Sequence, residues 1–277
     1  MRVTNVRTQP TLPPPSGALQ RASERVGLIG TAAWCALQLA TQHPHPLTSR
    51  PLLTDQLVQA LQDAGILTRC VVASNGTHRA IYEPVSWRYH DLGLPEASIQ
   101  SRVEQALTVR VQQDDGAARD SLWRLLVDAE SEAYLIHLLR RHRMDGGDLV
   151  ALLRAVQAEW APYCLGRRRY LAWASLRHAA ASMISQDYDI TVGYASLETY
   201  IRRRGRLLAV KQAAGEITED DYCFVPDALW PRPLLLDVFL IRVAPMGRGF
   251  WSKSPPIDQT AEPDATPVEI LKSWIGP

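Results

Sequence analysis

Three clusters of arginine stand out in the second half of this 277-residue chain. The guanidinium group is a planar fork of donors that pairs with phosphate or carboxylate. Because burying an unpaired charge is very costly, we expect most of these neighbouring arginines to face solvent or a partner. They therefore predict a phosphate-binding surface. Its members are Arg140, Arg141 and Arg143; Arg167, Arg168 and Arg169; and Arg202, Arg203, Arg204 and Arg206.

The distribution of charge supports this interpretation, although the net charge is only +1. Residues 137–212 hold 13 basic and 6 acidic side chains, a net charge of +7, whereas residues 213–277 hold 5 and 10, a net charge of −5. A basic block of this kind binds nucleic acid by releasing counterions from phosphates. Tyr170, Trp173 and Tyr200 lie beside the clusters, where their rings could stack on bases. The predicted partner is nucleic acid, either DNA or RNA.

Other roles for the arginines stay open at this stage. The cluster from Arg140 to Arg143 closes a predicted helix, where positive charge interacts favourably with the helix dipole. The cluster from Arg202 to Arg206 could pair with acidic residues of the tail or of another subunit. A plain solvated surface is a further interpretation.

Motifs of catalysis are missing from the sequence. It contains no GxxxxGK[ST] loop, no GxGxxG opening a helix, no GxSxG elbow and no HExxH. Asp187 and Asp189 could hold a metal, and Asp237 inside an apolar run would need a cationic partner such as Arg242 if it were buried. A solvated loop and a buried ion pair are the simpler interpretations. We predict a noncatalytic protein without a cofactor or metal.

Cysteine spacing and hydropathy indicate the cellular compartment of the protein. Cys35, Cys70, Cys164 and Cys223 are dispersed and form no CxxC pair. Such single thiols are typical of reduced, mostly buried cysteines in cytosolic proteins. The longest apolar stretch, from Val26 to Ala40, is too short to span a bilayer. We predict a cytoplasmic protein that does not bind membranes.

Helical periodicity dominates the elements that must position these residues. One or two helices are predicted over residues 18–41, with Gly27 and Gly30 as candidate breaks. A second helix is predicted from Pro51 to Ala64, because proline suits a first turn and Gly65 suits the exit. A short helix is predicted over residues 95–110.

From Ala117 the pattern is helical for most of the next hundred residues, with Asp148 and Ser196 as predicted N-caps. Two segments in the second half of the chain favour strands instead. The first is "DITVGY", residues 189–194, and the second is the apolar run from Leu234 to Val243, which is bounded by prolines.

The segment from Leu61 to Val85 carries the strongest hairpin signal, because Asn75-Gly76 separates two apolar runs, Ile66 to Ala73 and His78 to Val85. A helix ending in "LxxAGIL", followed by a hairpin ending in "RxxY", resembles the winged-helix superfamily over about residues 20–85. The resemblance implies that the helix before the hairpin enters the major groove while the wing touches the backbone. It implies an exposed helix face with Thr54, Gln56, Gln59 and Gln62, and a wing with Asn75, Thr77, His78 and Arg79.

Winged-helix units also serve as protein-docking modules, and an ordinary α+β hairpin packed on helices is the alternative for this segment. The predicted fold class is mainly α (α+β), with an N-terminal winged-helix-like unit followed by a basic helical domain and a short C-terminal strand region. The predicted organisation is a flexible arm over 1–16, a winged-helix-like domain over 17–112, a basic helical domain over 113–251 and a disordered acidic tail over 252–277.

The predicted function is a noncatalytic nucleic-acid-binding subunit or regulator within a larger nucleoprotein complex. The predicted contacts are the ten arginines of the three clusters together with Gln59, His78 and Arg79. The alternative is a protein–protein adaptor that uses its arginine clusters and C-terminal tail to dock partners.

Overall fold

The structure is a computed structural model and is mainly helical, as the sequence predicts. The predicted arm over 1–16, the predicted turn at Asn75-Gly76 and the tail from residue 257 onward lie outside the residues it describes. Those residues are 17–40, 45–69, 87–89, 96–187, 189–225, 230 and 232–256.

Helices α1 (Gly17–Ala40) and α2 (Pro51–Asp63) begin the described fold. Gly27 breaks α1 with φ 62° and ψ −164°, a conformation that glycine adopts readily, so the predicted break is confirmed. The half of α1 after this kink is almost entirely buried. Helix α2 starts at Pro51 and exits through Gly65 at φ 68°, as predicted.

Two short strands follow α2. Strand β1 (Leu67–Arg69) pairs antiparallel with β2 (Trp87–Tyr89), and Leu67 lies opposite Tyr89. Strand β1 falls inside the first predicted strand, but its partner β2 follows the predicted second strand, which lies outside the described residues. An uninterrupted hairpin around Asn75-Gly76 would instead place Pro84 opposite Leu67.

Five longer helices then build most of the molecule. The helices are α3 (Glu96–Gln113), α4 (Ala117–Arg141), α5 (Leu149–Trp160), α6 (Leu165–Gln186) and α7 (Ile190–Ala213). The loops between these helices are short. Before α5, the side chain of Asp148 accepts from the Ala151 amide at 3.0 Å, which confirms the predicted cap.

The two strands predicted in the second half are wrong. Residues 190–194 form the first turns of α7, whose N-cap is Asp189 rather than Ser196. The run from Leu234 to Val243 is α8 (Leu234–Val238) continued by a π-helical turn (Phe239–Val243), and α9 (Gly249–Ser252) follows. Hydrophobic residues cover almost the whole circumference of α8, and a short helix buried in this way has the same apolar sequence as a buried strand.

Buried apolar side chains form two clusters that meet inside α4. The first contains side chains of α1, α2, α3, the N-terminal half of α4, α8 and α9. The second contains the C-terminal half of α4 with α5, α6 and α7. The packing therefore divides between Ala129 and Leu135 within α4. The domain boundary that the sequence places at residue 112 stays a prediction. No helix in the described ranges is long and apolar enough to cross a membrane.

Candidate nucleic-acid interface

The first arginine cluster lies at the C-terminus of α4, as expected. Arg140, Arg141 and Arg143 are all exposed. Arg140 and Arg141 occupy the last turn of the helix, and Arg143 follows in the left-handed conformation at φ 57°. Positive charge at this end is favoured by the helix dipole, and the three side chains are accessible to a polyanion.

The second cluster is buried, so the expectation that it faces solvent or a partner is wrong. Arg167, Arg168 and Arg169 are only 4%, 1% and 2% exposed. They occupy the first turns of α6, which packs against α4 where the two apolar clusters meet. Burial of three guanidinium groups is tolerable only if the protein itself supplies their partners.

Arg168 makes a buried ion pair with Asp128 of α4. Its other donors reach the main chain just before α6, to the carbonyls of Tyr163 and Ala161 at 2.8 Å each. The guanidinium group is therefore held on three sides by acceptors of this chain.

Arg167 ties α6 to the segment that follows α7. Its guanidinium donates to the side chain of Gln212 and to the carbonyls of Thr218, at 2.8 Å, and Glu219 and Asp221, at 3.3 Å each. Its partners are oxygens of this chain, which replace the solvent that the arginine lost on burial.

Arg169 lies among aromatic rings. Its guanidinium carbon is 4.5 Å from the ring centroids of Tyr134 and Trp230 and 5.4 Å from that of Trp251. Cation–π attraction of this kind strengthens when the cation is removed from water. None of the three central arginines is thus displayed to a partner.

Acidic side chains of α4 share this polar region. Glu130 accepts from the Ser49 hydroxyl and, at 3.1 Å, from the Trp230 indole, while Glu132 pairs with Arg50 at 3.0 Å. Burial raises the pKa of both carboxyl groups, that of Glu132 to about 7, although Arg50 acts in the opposite direction. We call the set Asp128, Glu130, Glu132, Arg167, Arg168 and Arg169 the polar layer.

The arginines of the third cluster differ in role: one forms ion pairs within the protein, and the others lie at the surface. Arg202 pairs with Glu159 of α5 and with Glu198 one turn earlier on α7 itself. It therefore forms ion pairs within the protein, although the sequence suggested carboxylates of the tail or of another subunit as the partners. Arg203 and Arg206 are exposed, and Arg204 is half-buried at the edge of α7.

Arg204 borders a groove between α6 and α7 with a volume of about 390 Å³. Aromatic and cationic side chains recur along α6 at intervals of three and four residues, which places them on one face of the helix. Among the described residues, those that line this groove include no carboxylate. We call it the α6–α7 groove; its lining is Tyr170, Trp173, Ala174, Arg177, His178, Ala181 and Arg204.

Ring contacts hold the groove in shape. The Arg177 guanidinium lies 4.9 Å from the Trp173 ring centroid, and the rings of His178 and Tyr200 are 5.5 Å apart. Tyr170 contacts Tyr222 and Phe224, from the segment after α7, at 4.9 and 5.4 Å between centroids. The groove thus combines flat apolar surfaces with two cations, the chemistry that binds single-stranded nucleic acid without base-specific hydrogen bonds.

Sequence reasoning identified Tyr170, Trp173, Tyr200 and Arg204 but missed Arg177 and His178. Helical periodicity in the sequence places both residues on the groove side of α6. The residues on this face are 170, 173, 174, 177, 178 and 181. A search for dense arginine clusters overlooks a single arginine one turn from a tryptophan.

The structure describes only some of the residues that the winged-helix resemblance predicts to contact nucleic acid. Gln59 is exposed on α2, and its amide donates to Asp63 at 2.7 Å. Thr54, expected on the same exposed face, is instead 3% exposed and bonds to Thr48 at 2.8 Å. His78 and Arg79 lie outside the described residues, as do Asn75 and Thr77.

Two of the aspartates considered for catalysis have structural roles. Asp189 caps α7 by accepting from the Val192 amide at 2.9 Å. Asp237 is 3.7 Å from Arg232, whereas Arg242, its predicted partner, pairs with Glu104 at 3.1 Å. No group of three or more histidine, cysteine or acidic side chains in the described part of the chain could hold a metal ion.

Comparisons of the chain with protein-family models, with curated proteins and with solved structures found no significant match.

Proposed function

We propose that this protein is a noncatalytic nucleic-acid-binding protein that holds single-stranded DNA or RNA in the α6–α7 groove. The observation that carries the proposal is the lining of the groove, in which aromatic rings alternate with Arg177 and Arg204 and no described lining residue is acidic. Bases stack on the rings, and the guanidinium groups contact the phosphates between them. We expect the protein to act within a larger nucleoprotein complex.

Exposed arginines elsewhere extend the basic surface of the same helical unit. Arg203 and Arg206 lie on α7, and Arg140, Arg141 and Arg143 lie at the end of α4. They supply further phosphate contacts that are independent of sequence. Arg167, Arg168 and Arg169, which are buried, and Arg202, which is paired, take no part in this binding.

A salt titration tests the proposal directly. Binding of fluorescent oligonucleotides of about 12 nucleotides, both DNA and RNA, is followed by anisotropy over a range of salt concentrations. In the double variant R177Q/R204Q, the slope of log affinity against log salt should fall by about 1.4, because each phosphate contact with a single strand contributes roughly 0.7.

The matched control is R21Q/R25Q, which removes the same charge from the exposed side of α1, far along the chain from the groove. This variant should keep the slope of the unaltered protein. Equal slopes in all three proteins, or no binding at low salt, would contradict the groove as the binding site.

The adaptor function is the second candidate, and exposed apolar residues on α7 favour it. Leu207 and Val210 are 55% and 67% exposed, one turn apart on the helix. A protein partner would bury them, whereas a nucleic acid gains little from aliphatic side chains. Under this alternative, L207D/V210D abolishes co-purification of a defined partner, and R177Q/R204Q leaves it intact.

The winged-helix resemblance also remains a proposal. It is supported by α2, its exit at Gly65 and the antiparallel pair β1–β2 that follows. The exposed side of α2 presents Asp55 and Asp63 beside Gln59, and carboxylates repel phosphates. We therefore assign this unit to protein docking within the complex and the α6–α7 groove to nucleic acid. A cytoplasmic location stays a prediction.

A further inference from the structure

Two cysteines that are far apart in the sequence meet at the N-terminus of α6. Cys164 is the residue immediately before the helix, and Cys223 lies in the segment after α7. Their sulfur atoms are 3.7 Å apart, and both are free thiols. A disulfide bond needs about 2.05 Å, so a small side-chain movement would join them. The sequence predicted isolated cysteines because the spacing of this pair matches no motif.

The surrounding backbone holds Cys223 against α6. The Phe224 amide donates to the Gly166 carbonyl at 2.9 Å, and Tyr222 adopts the left-handed conformation at φ 59°. A Cβ atom at Gly166 would approach the Cys223 sulfur to 2.1 Å, so only glycine leaves room for it. The contact between the two thiols is therefore part of the packing of the segment.

The two thiols differ in acidity. The hydrogen bond from Cys223 lowers the pKa of Cys164 to about 7, against the effect of burial, and the backbone N–H and charge of Arg167 act in the same direction. The pKa of Cys223 is raised, mainly because its thiol donates the hydrogen bond to Cys164. A thiolate at a helix N-terminus beside arginines is the form of cysteine that reacts with oxidants.

Small molecules have a route to this thiolate. Cys164 lines a cleft of about 530 Å³ together with Arg167, Gln212 and Ser254. The third described cysteine, Cys35, is as buried as Cys164, at 2% against 3% exposed, but burial raises its pKa to about 12, whereas the pKa of Cys164 is lowered. Cys35 thus serves as an internal reference for an unreactive thiol.

We propose that Cys164 and Cys223 are a redox-active pair that hydrogen peroxide oxidises to a disulfide. The Cys164 thiolate attacks one peroxide oxygen, the O–O bond breaks, and the departing hydroxide takes up a proton and leaves as water. The resulting sulfenic acid is attacked by Cys223, an S–S bond forms, and the hydroxyl leaves with the Cys223 proton as a second water. Two thiols lose two electrons in total, and the peroxide gains them.

The experiment uses the full chain in a C35S/C70S background, so that only the pair remains. After reduction and addition of one equivalent of hydrogen peroxide, both free thiols should disappear and peptide mapping should show a Cys164–Cys223 link. Adding C223S should stop the reaction at a sulfenic acid on Cys164 that a dimedone probe captures. Adding C164S should slow oxidation of the remaining thiol at least tenfold at pH 7.

Alkylation of the unaltered chain with iodoacetamide gives a second readout, because the rate at Cys164 should rise with a midpoint near pH 7 while Cys35 stays unmodified. Retention of both thiols after peroxide treatment, or oxidation of Cys223 that is equally fast with and without Cys164, would overturn the proposal. None of these outcomes depends on whether the α6–α7 groove binds nucleic acid.

Discussion

Arg168 illustrates how a charged side chain becomes part of a protein interior. Its guanidinium is 1% exposed and is surrounded by the Asp128 carboxylate and two main-chain carbonyls. Such a group is tolerated because each lost water is replaced by an acceptor of fixed position. Removal of the arginine leaves the half-buried Asp128 carboxylate and the two carbonyls without their donor.

We therefore expect Arg168→Ala to lower the free energy of unfolding by about 3–5 kcal/mol. Urea denaturation followed by circular dichroism measures this change. Arg203→Ala is the control, because it removes an exposed arginine of α7 and should change stability by less than about 0.5 kcal/mol. Similar losses in both variants would contradict the structural role of Arg168.

Glu132 gives the protein a pH dependence of definite sign. Its pKa is raised from 4.5 to about 7, chiefly by burial, so the folded state holds its proton over a range in which the unfolded state loses it. The contribution of protonated Glu132 to the free energy of unfolding is fully present below pH 4.5 and is lost as the pH rises to about 7. A shift of this size corresponds to about 3 kcal/mol.

Glu132→Gln should flatten the decline between pH 4.5 and 7, measured as the free energy of unfolding in urea at a series of pH values. Part of the slope should persist, because the pKa of Glu130 is raised in the same direction. The exposed Glu216→Gln variant should keep the full slope. A wild-type stability that rises through this interval would show that Glu132 is ionised in the folded protein.

At the scale of elements, helix α7 shows where local sequence and structure disagree. Ile190, Thr191 and Val192 favour a strand by their β-branched side chains, yet they form the first turn of the helix. The local cap from Asp189 starts the helix, and packing secures it: the Tyr194 hydroxyl donates to the Met144 carbonyl, 50 residues away in the sequence, at 2.7 Å. Tertiary contacts of this kind are invisible in a local pattern.

The two candidate caps of α7 can be separated by experiment. Asp189→Ala should destabilise the protein by about 1 kcal/mol, because it leaves the Val192 amide without its acceptor. Ser196→Ala lies inside the helix and should have little effect. Thermal unfolding of both variants measures the difference, and a larger effect at Ser196 would favour the cap predicted from the sequence.

Sequence patterns predicted those helices that have capping or helix-breaking residues at their ends. Pro51 and Gly65 delimit α2, and Asp148 caps α5, because these signals act within a few residues. The burial of Arg169 was not predictable in the same way, since its rings come from Tyr134 and Trp230, which are remote in the chain. The candidate groove was predictable in part, because its rings and cations share a single face of α6.

At the scale of the whole molecule, α4 belongs to both apolar clusters. Leu126 is buried in the first and Leu135 in the second, and a single continuous helix joins them. The two halves of the protein should therefore unfold together, because neither cluster is complete without its part of α4.

Leu126→Ala and Leu135→Ala should each lower the unfolding free energy by about 2–5 kcal/mol. Hydrogen exchange read by mass spectrometry should show that either variant weakens the protection of both α1 and α6. Loss of protection confined to the cluster that carries the substitution would mean that the halves unfold independently.

The polar layer has a consequence for how the chain finds its native arrangement. Sliding α6 along α4 by one turn, about 5.4 Å, would leave apolar contacts between Leu and Ala side chains largely intact. It would also move the Arg168 guanidinium from Asp128 to the level of either Arg124, which repels it, or Glu132, which already pairs with Arg50. Misaligned compact states thus carry an unpaired charge that the native state avoids, and the two helices can settle in only one mutual register.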